Sequence, residues 1–270
     1  MTEQPTVTDV VARHASTTWT REGEHQTTRD LVVERPVAIV FNGTTVAVMM
    51  ASPQYIEDFA LGFALTEGYV KSLAEIERFE EIVHDKGTEA RFWLVDTAAD
   101  AFLARRRAAL GPMGCGLCGI DSLDEALRNV PTVGAGVRLS AEEIAQAPDA
   151  LRARQPLHDH ARAAHAAGFL IPEQGVYLAR EDVGRHNALD KLCGALIRDG
   201  IDPQSGAIVM TSRLSVDLVQ KVAMIGCPTL IGVSAPSSLA VETALEAGMT
   251  LIAFCRAGKF DILTGAERCA

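Results

Sequence analysis

The chain has 270 residues, 48 % of them hydrophobic and 22 % charged, a composition that excludes wholesale disorder and can bury a core without disulfide staples. Lys and Arg number 25 against 35 Asp and Glu, a formal net charge of −10. Broad binding to a nucleic-acid backbone or an anionic membrane needs a basic face and is therefore not expected, although a local basic pocket for one phosphorylated ligand is compatible with the charge. No run of about 18 apolar residues is present to cross a bilayer. The start, Met1-Thr2-Glu3-Gln4-Pro5, lacks the basic and apolar regions of a secretory signal, so the cytoplasm is the expected compartment.

In chain order, residues 1–30 are polar and without periodicity and read as a mobile tail, with room for a late edge strand. Residues 31–113 read as a smaller α+β part. Two apolar runs between Leu31 and Ala51 meet at Asn42-Gly43, a strong hairpin signal. Ser52-Pro53 then looks like a helix start, with the helix running to about Tyr69 and Ile56, Phe59, Ala60 and Phe63 on one face. Strands are predicted over 76–83 and 89–95, joined at Asp85-Lys86-Gly87, and a short helix from Asp100 to Leu110. Residues 114–136 form a loop and linker, since glycines at 111, 114, 116 and 119 are incompatible with a regular element. Ser122 with Glu125, and Ser140 with Glu143, are capping-box patterns that open helices.

Residues 137–270 read as an α/β part. A helix is expected over 156–167, a hairpin across Pro172-Glu173-Gln174-Gly175, and a helix over 186–198. Then come strand 207–210, helix 215–225, strand 229–233, helix 238–247 and strand 250–254. Two successive βαβ units imply parallel strands with right-handed crossovers.

Of six cysteines, only Cys115 and Cys118 are close, in Gly114-Cys115-Gly116-Leu117-Cys118-Gly119. In a reducing compartment such a pair is metal-binding or catalytic rather than a staple. Three readings stand. The pair is structural; or it supplies two zinc ligands, completed by His158, His160 or His165; or it performs nucleophilic sulfur chemistry as a thiolate. A zinc deaminase would need Pro before the first cysteine and an upstream His-x-Glu, and neither is present. For sulfur chemistry, Cys118 lies just before the helix capped by Ser122, where an anion is favoured, and the flanking glycines let a partner's sulfur approach.

Several segments together resemble the formate dehydrogenase accessory sulfurtransferases, the FdhD family. They are the Gly-Cys-Gly-Leu-Cys-Gly loop, the run from Arg180 through Glu181, Asp182, Val183, Gly184, Arg185, His186 and Asn187 to Lys191, the segment Ser234 to Val241, and Phe254-Cys255-Arg256. The resemblance implies a larger half with a cytidine-deaminase-like three-layer α/β/α fold, lacking the zinc chemistry, and a homodimer. It implies that sulfur arrives as a persulfide from a cysteine desulfurase, on Cys115 with Cys118 assisting. The sulfur then passes to a molybdenum or tungsten bis(molybdopterin guanine dinucleotide) cofactor destined for the formate dehydrogenase catalytic subunit. By match, Phe254, Cys255, Arg256, Ala257, Gly258 and Lys259 contact that cofactor, with GDP as a surrogate ligand. Two departures stand out: Ala161-Arg162-Ala163-Ala164 precedes His165 where the family carries a glycine-rich segment, and Lys259 replaces a frequent Arg, keeping charge but losing bidentate geometry.

The residues themselves point the same way. Arg213, Ser234 and Arg256 each lie at the C-terminal end of a predicted parallel strand, the edge where α/β proteins bind ligands. Arg213, Arg256 and Lys259 there can clamp phosphates, and Gly258 admits close backbone approach. Glu181, Asp182, Arg185 and His186 occupy a βα junction on the same edge; helix capping by Asp182 and a solvated Glu181 is the plainer alternative. Cys255 reads as core, and Arg105-Arg106-Arg107 as a solvated helix face. Competing with sulfur transfer are a cofactor chaperone without sulfur chemistry and a zinc-dependent deaminase-like hydrolase; no resident metal is assigned.

Overall fold

The structure, a computed structural model, describes residues 10–100, 102 and 130–270. Cys115 and Cys118 with their glycine loop, Arg105-Arg106-Arg107 and the helix capped by Ser122 lie outside the described residues.

The expected tail is corrected first. β1 (Val11–Thr20) and β2 (Gly23–Val32) pair antiparallel along their whole length as a separate two-stranded sheet. Thr17, Thr18, Thr20, Thr27 and Thr28 supply β propensity, but both faces of most of the hairpin are solvated, so no apolar alternation marks it in the sequence. Its root is anchored where Val10, Val11 and Val32 pack on Leu157 and Ala164.

β3 (Arg35–Phe41) and β4 (Thr44–Ala51) meet at Asn42-Gly43, whose φ angles of 44° and 76° make the two-residue turn that the dipeptide favours. With β5 (Ile76–His84) and β6 (Gly87–Leu94) they form a sheet of order β4-β3-β6-β5, in which β3 and β6 are parallel. α1 (Ile56–Thr66) lays Ile56, Phe59, Ala60 and Phe63 against Val37, Ile39, Phe41 and Phe92 of that sheet. α1 starts later than Ser52-Pro53 suggests: its N-cap is Tyr55, in a left-handed conformation at φ 57°. Ser52 is used elsewhere, in the buried contacts described below.

α2 (Ala141–Arg152) begins with the expected capping box of Ser140 and Glu143. α3 (Pro156–Ala161) is shorter than predicted, because Arg162 turns left-handed at φ 52° and the chain enters β7 (His165–Ile171). The alanines at 164, 166 and 167 look helical locally; pairing of β7 with both its neighbours overrides that preference. β8 (Gly175–Asp182), α4 (Arg185–Arg198), β9 (Ala207–Met210), α5 (Val216–Met224), β10 (Thr229–Gly232), α6 (Ser238–Glu246) and β11 (Thr250–Arg256) follow the predicted rhythm. β12 (Lys259–Thr264) was not expected; it returns antiparallel along β11 and closes one edge.

This six-stranded sheet has the order β12-β11-β10-β9-β7-β8, with β9, β10 and β11 parallel. Helices cover both faces. Ile208 and Met210 point into a cluster with Leu189, Leu192, Leu196 and Leu218 from α4 and α5. Ala207 and Val209, one residue out of phase, pack with Ile144, Ala147 and Leu151 of α2. No described helix is long and apolar enough to cross a membrane.

The two sheets are joined by α1 crossing α4. A Cβ on Gly62 would lie 1.7 Å from the Asp190 carbonyl oxygen, and one on Gly194 would lie 1.9 Å from that of Asp58. The helices therefore touch backbone to backbone. Around this crossing lie three fully or nearly fully buried carboxylates, each paired. Asp58 meets the guanidinium of Arg180 at 2.8 Å and also that of Arg198. Asp190 takes Lys221 at 2.9 Å, while Lys221 also reaches Glu67 of α1's C-cap at 2.7 Å. Asp182 lies 2.6 Å from Lys191, both with no solvent exposure. Asp190 and Glu67 hold the Lys221 ammonium above its usual range against the opposing effect of burial.

Gly62→Ala is expected to lower unfolding free energy by about 2–3 kcal/mol, the cost of forcing atoms into a close-packed contact, read by urea denaturation. Lys191→Met leaves Asp182 charged and buried without its counter-ion; a loss of about 3 kcal/mol is expected in the same experiment.

Candidate functional site

The directions of the strands gather the candidate residues. β8 runs the same way as β9, β10 and β11, because β7 is antiparallel to both β8 and β9. The C-terminal ends of β8, β9, β10 and β11 and the N-termini of α4, α5 and α6 thus share one edge with His165 at the start of β7. In open α/β sheets this edge is the ligand-binding one.

The loops along the edge are laced together by their backbones. The Thr211 N–H donates to the Ala166 carbonyl at 3.1 Å, that of Leu214 to Ala235 at 3.1 Å, and that of Ser237 to Leu214 at 3.0 Å. The Phe254 N–H donates to the Ser234 carbonyl at 3.3 Å. These bonds continue the sheet past its formal strand ends and hold the residues of the edge in fixed register.

Of the predicted site residues, Arg213, Ser234, Phe254, Arg256, Ala257, Gly258, Lys259 and His186 all reach this edge, and Cys255 does so by its backbone alone. Phe254 and Cys255 bulge out of β11 opposite Phe260. Phe254 adopts φ 52° and is 40 % exposed as a residue; a left-handed conformation on an aromatic residue is costly and concentrates at functional positions. Cys255 turns inward, its Sγ 3.1 Å from the Ile144 carbonyl oxygen, and burial pushes its thiol up to about 11. Its side chain is core, as its strand neighbours suggested. Ala257 and Gly258, at φ 51° and 72°, form the tight turn between β11 and β12, with nothing within 4 Å of a Cβ built on Gly258. The glycine is accounted for by this turn. Arg213, Arg256 and Lys259 are exposed and make no ion pair among the described residues.

The Arg180–Lys191 run divides between two tasks. Asp182 does not cap α4, whose N-cap is Gly184. Its carboxylate accepts from the N–H of Ser52 at 3.0 Å, from that of Gly184 at 2.8 Å and from Asn187 Nδ2 at 2.9 Å. Asn187 also donates to the Met50 carbonyl at 2.8 Å, Lys191 to that of Ser52 at 2.9 Å, and the Val183 N–H to Ser52 Oγ at 3.1 Å. These residues clasp the end of β4, a role that sequence reasoning missed; only Ser52's polarity at the end of an apolar strand hinted at it. Glu181 is buried instead of solvated, accepting from the N–H groups of Leu157 at 2.8 Å and His158 at 2.9 Å at the start of α3, and burial pushes its carboxyl up. Arg185 and His186 open α4 at the edge. Burial, with the nearby Arg185 charge, pulls both His186 and His165 below the usual histidine range.

The remaining described thiols are poor nucleophiles. Cys193 and Cys227 are fully buried, and burial pushes Cys227 up to about 12 and Cys193 well above an ordinary thiol. Half-burial raises Cys269 as well. No three His, Cys, Asp or Glu side chains converge as for a metal ion among the described residues; His158 Nδ1 lies 3.2 Å from the Ala164 carbonyl oxygen.

Known proteins resemble this chain along most of its length. The model of the FdhD/NarQ family matches residues 32–270. A sulfur carrier protein FdhD from Agrobacterium fabrum is 48 % identical over 259 residues, 95 % of each chain. One from Bordetella bronchiseptica is 44 % identical over 237 residues, 88 % of this chain and 86 % of its own. A solved structure from Desulfotalea psychrophila, described as a formate dehydrogenase accessory protein, superposes with a TM-score of 0.77 at 26 % identity, covering 97 % of this chain and all of its own. The chain belongs to the FdhD/NarQ family.

Proposed function

We propose that this chain is a sulfur carrier that serves formate dehydrogenase. A cysteine desulfurase delivers sulfur as a persulfide to Cys115, with Cys118 stabilising or resolving it. The sulfur passes to a molybdenum or tungsten bis(molybdopterin guanine dinucleotide) bound as substrate, before that cofactor enters the formate dehydrogenase catalytic subunit. The protein acts in the cytoplasm as a homodimer, and its larger half takes a cytidine-deaminase-like arrangement without that family's zinc.

The observation that carries this reading is the edge itself. A protein of net charge −10 can hold a polyanion only where cations are focused. Arg213, Arg256 and Lys259 supply them beside an exposed aromatic ring at Phe254, which offers a stacking face for a purine. The burial of Cys193, Cys227 and Cys255 supports giving the sulfur chemistry to the loop pair, since buried thiols are inert.

Incubation with a cysteine desulfurase and radiolabelled cysteine is expected to label the wild-type chain and leave the Cys115→Ala, Cys118→Ala double variant unlabelled; undiminished label on the variant would remove the mechanism. GDP is expected to bind the wild type. Arg256→Gln should weaken it about tenfold, the usual worth of a charge-assisted phosphate contact, and affinity should fall as salt rises. Isothermal titration measures both.

A further inference from the structure

We propose that a cleft along the free side of β8 binds a small monocarboxylate, held by the guanidinium groups of Arg154 and Arg180 and the backbone N–H of Ala179. β8 is the outermost strand on the side of the sheet remote from β11 and β12, so this cleft is separate from the edge that carries Arg256 and Lys259. The inference goes beyond the sulfur-carrier reading and does not rest on it.

β8 has a strand neighbour on one side only. The backbone of Ala166 in β7 faces β9: its N–H donates to Thr211 Oγ1 at 2.9 Å, and its carbonyl accepts from the Thr211 N–H at 3.1 Å. The flanking residues His165 and Ala167 therefore face β8, opposite Asp182 and Arg180. By alternation, Ala179 and Glu181 direct their backbone groups away from the sheet. A free edge ordinarily offers donors and acceptors in turn, a template for another strand. This one is altered. Arg154 Nη1 donates to the Tyr177 carbonyl at 3.2 Å, and Arg180 Nη1 donates to that of Ala179 at 2.9 Å. With both carbonyls covered, the stretch presents the Ala179 N–H and the remaining N–H groups of two guanidiniums. Such a surface rejects an extended backbone and suits a ligand group that only accepts. An ionised carboxylate is acceptor-only and matches the guanidinium fork.

The cleft beside this stretch has a volume of about 230 Å³, below the roughly 300–1,000 Å³ of drug-sized pockets. Tyr55, Pro156 and Leu178 line it with apolar surface, so the carboxylate is carried on a small apolar or aromatic body. Arg180 is held ready. Its side chain is 10 % exposed, its Nε lies 2.8 Å from Asp58 Oδ2, and its guanidinium carbon sits 4.2 Å from the centre of the Tyr55 ring. A donor fixed in this way loses little freedom on binding. Tyr55 itself is left-handed at φ 57°, a conformation that persists only where the surroundings impose it. The charges favour one negative group. Asp58 is shared by Arg180 and Arg198, so those three sum to one positive charge. Arg154 is exposed, bonds only the Tyr177 carbonyl among the described residues, and adds another. Glu181, also lining the cleft, subtracts one. The single positive charge left over matches a monoanion and opposes a phosphate dianion.

The test is nitrogen–proton correlation NMR of the full chain titrated with benzoate and, separately, with its neutral isostere benzamide and with inorganic phosphate. Benzoate is expected to shift the Ala179 amide saturably. Benzamide should bind at least about tenfold more weakly than benzoate, and Arg154→Gln should weaken benzoate by about the same factor. Arg154 is exposed, so its replacement leaves the fold intact, and the comparison of benzoate with benzamide needs no variant. No saturable shift at Ala179, equal affinity for benzamide, or undiminished benzoate affinity in Arg154→Gln overturns the site. Phosphate binding there as tightly as benzoate overturns the assignment to a monocarboxylate. Shifts confined to residues 254–259 place benzoate at the other edge and overturn the cleft as its seat.

Discussion

The contact on which the rest of the molecule depends is the crossing of α1 over α4 at Gly62 and Gly194. Backbone touches backbone there, so the ion pairs around the crossing are held short and dry. Low dielectric makes each attraction strong and each unpaired charge costly. Asp58, Asp182 and Asp190 are tolerable in the interior because Arg180, Arg198, Lys191 and Lys221 meet them there. The arrangement also fixes where β8 ends and α4 begins, since Asp182 binds the backbone on both sides: Ser52 from the smaller half and Gly184 from its own loop.

From that fixed point the edge is built outward. Arg185 and His186 follow the clasp by three and four residues, and their position is set by Asp182 and Asn187 rather than by the helix alone. At the other end of the edge, the backbone bond from Phe254 to Ser234 and the bulge in β11 set the aromatic ring. Between these ends, the bonds of Thr211, Leu214 and Ser237 tie successive loops together. The candidate edge is thus anchored at one end by buried charge and at the other by a strained strand. Its middle consists of peptide groups whose identity is invisible in the side chains.

Much of the α/β half was legible. β9, β10 and β11 are short apolar runs separated by capped helices, and their two-faced burial follows from strand periodicity. The smaller sheet was legible where Asn42-Gly43 set a turn. What escaped depends on contacts far apart in sequence. β1 and β2 lack apolar alternation because no described residue covers most of their length. β12 was hidden because Phe254 to Lys259 was read for its chemistry, and the left-handed turn at Ala257-Gly258 sends the chain back along β11. The start of α1 moved because Ser52 serves Val183, about 130 residues away, and local capping preference carries no trace of that. The conspicuous Glu181-Asp182 and Asn187 to Lys191 residues were legible as important but not as a clasp. Their partners, Met50, Ser52 and Leu157, are contacted through backbone groups that any side chain could carry.

The glycine crossing also bears on how the chain can vary over evolutionary time. Asp58 belongs to one sheet's helix while both of its cations belong to the other half, and Lys221 reaches across to Glu67. Losing the charged residues of either portion strands their partners in the other. Because each glycine abuts the facing helix's backbone, no side-chain change on that helix makes room for a Cβ at either position.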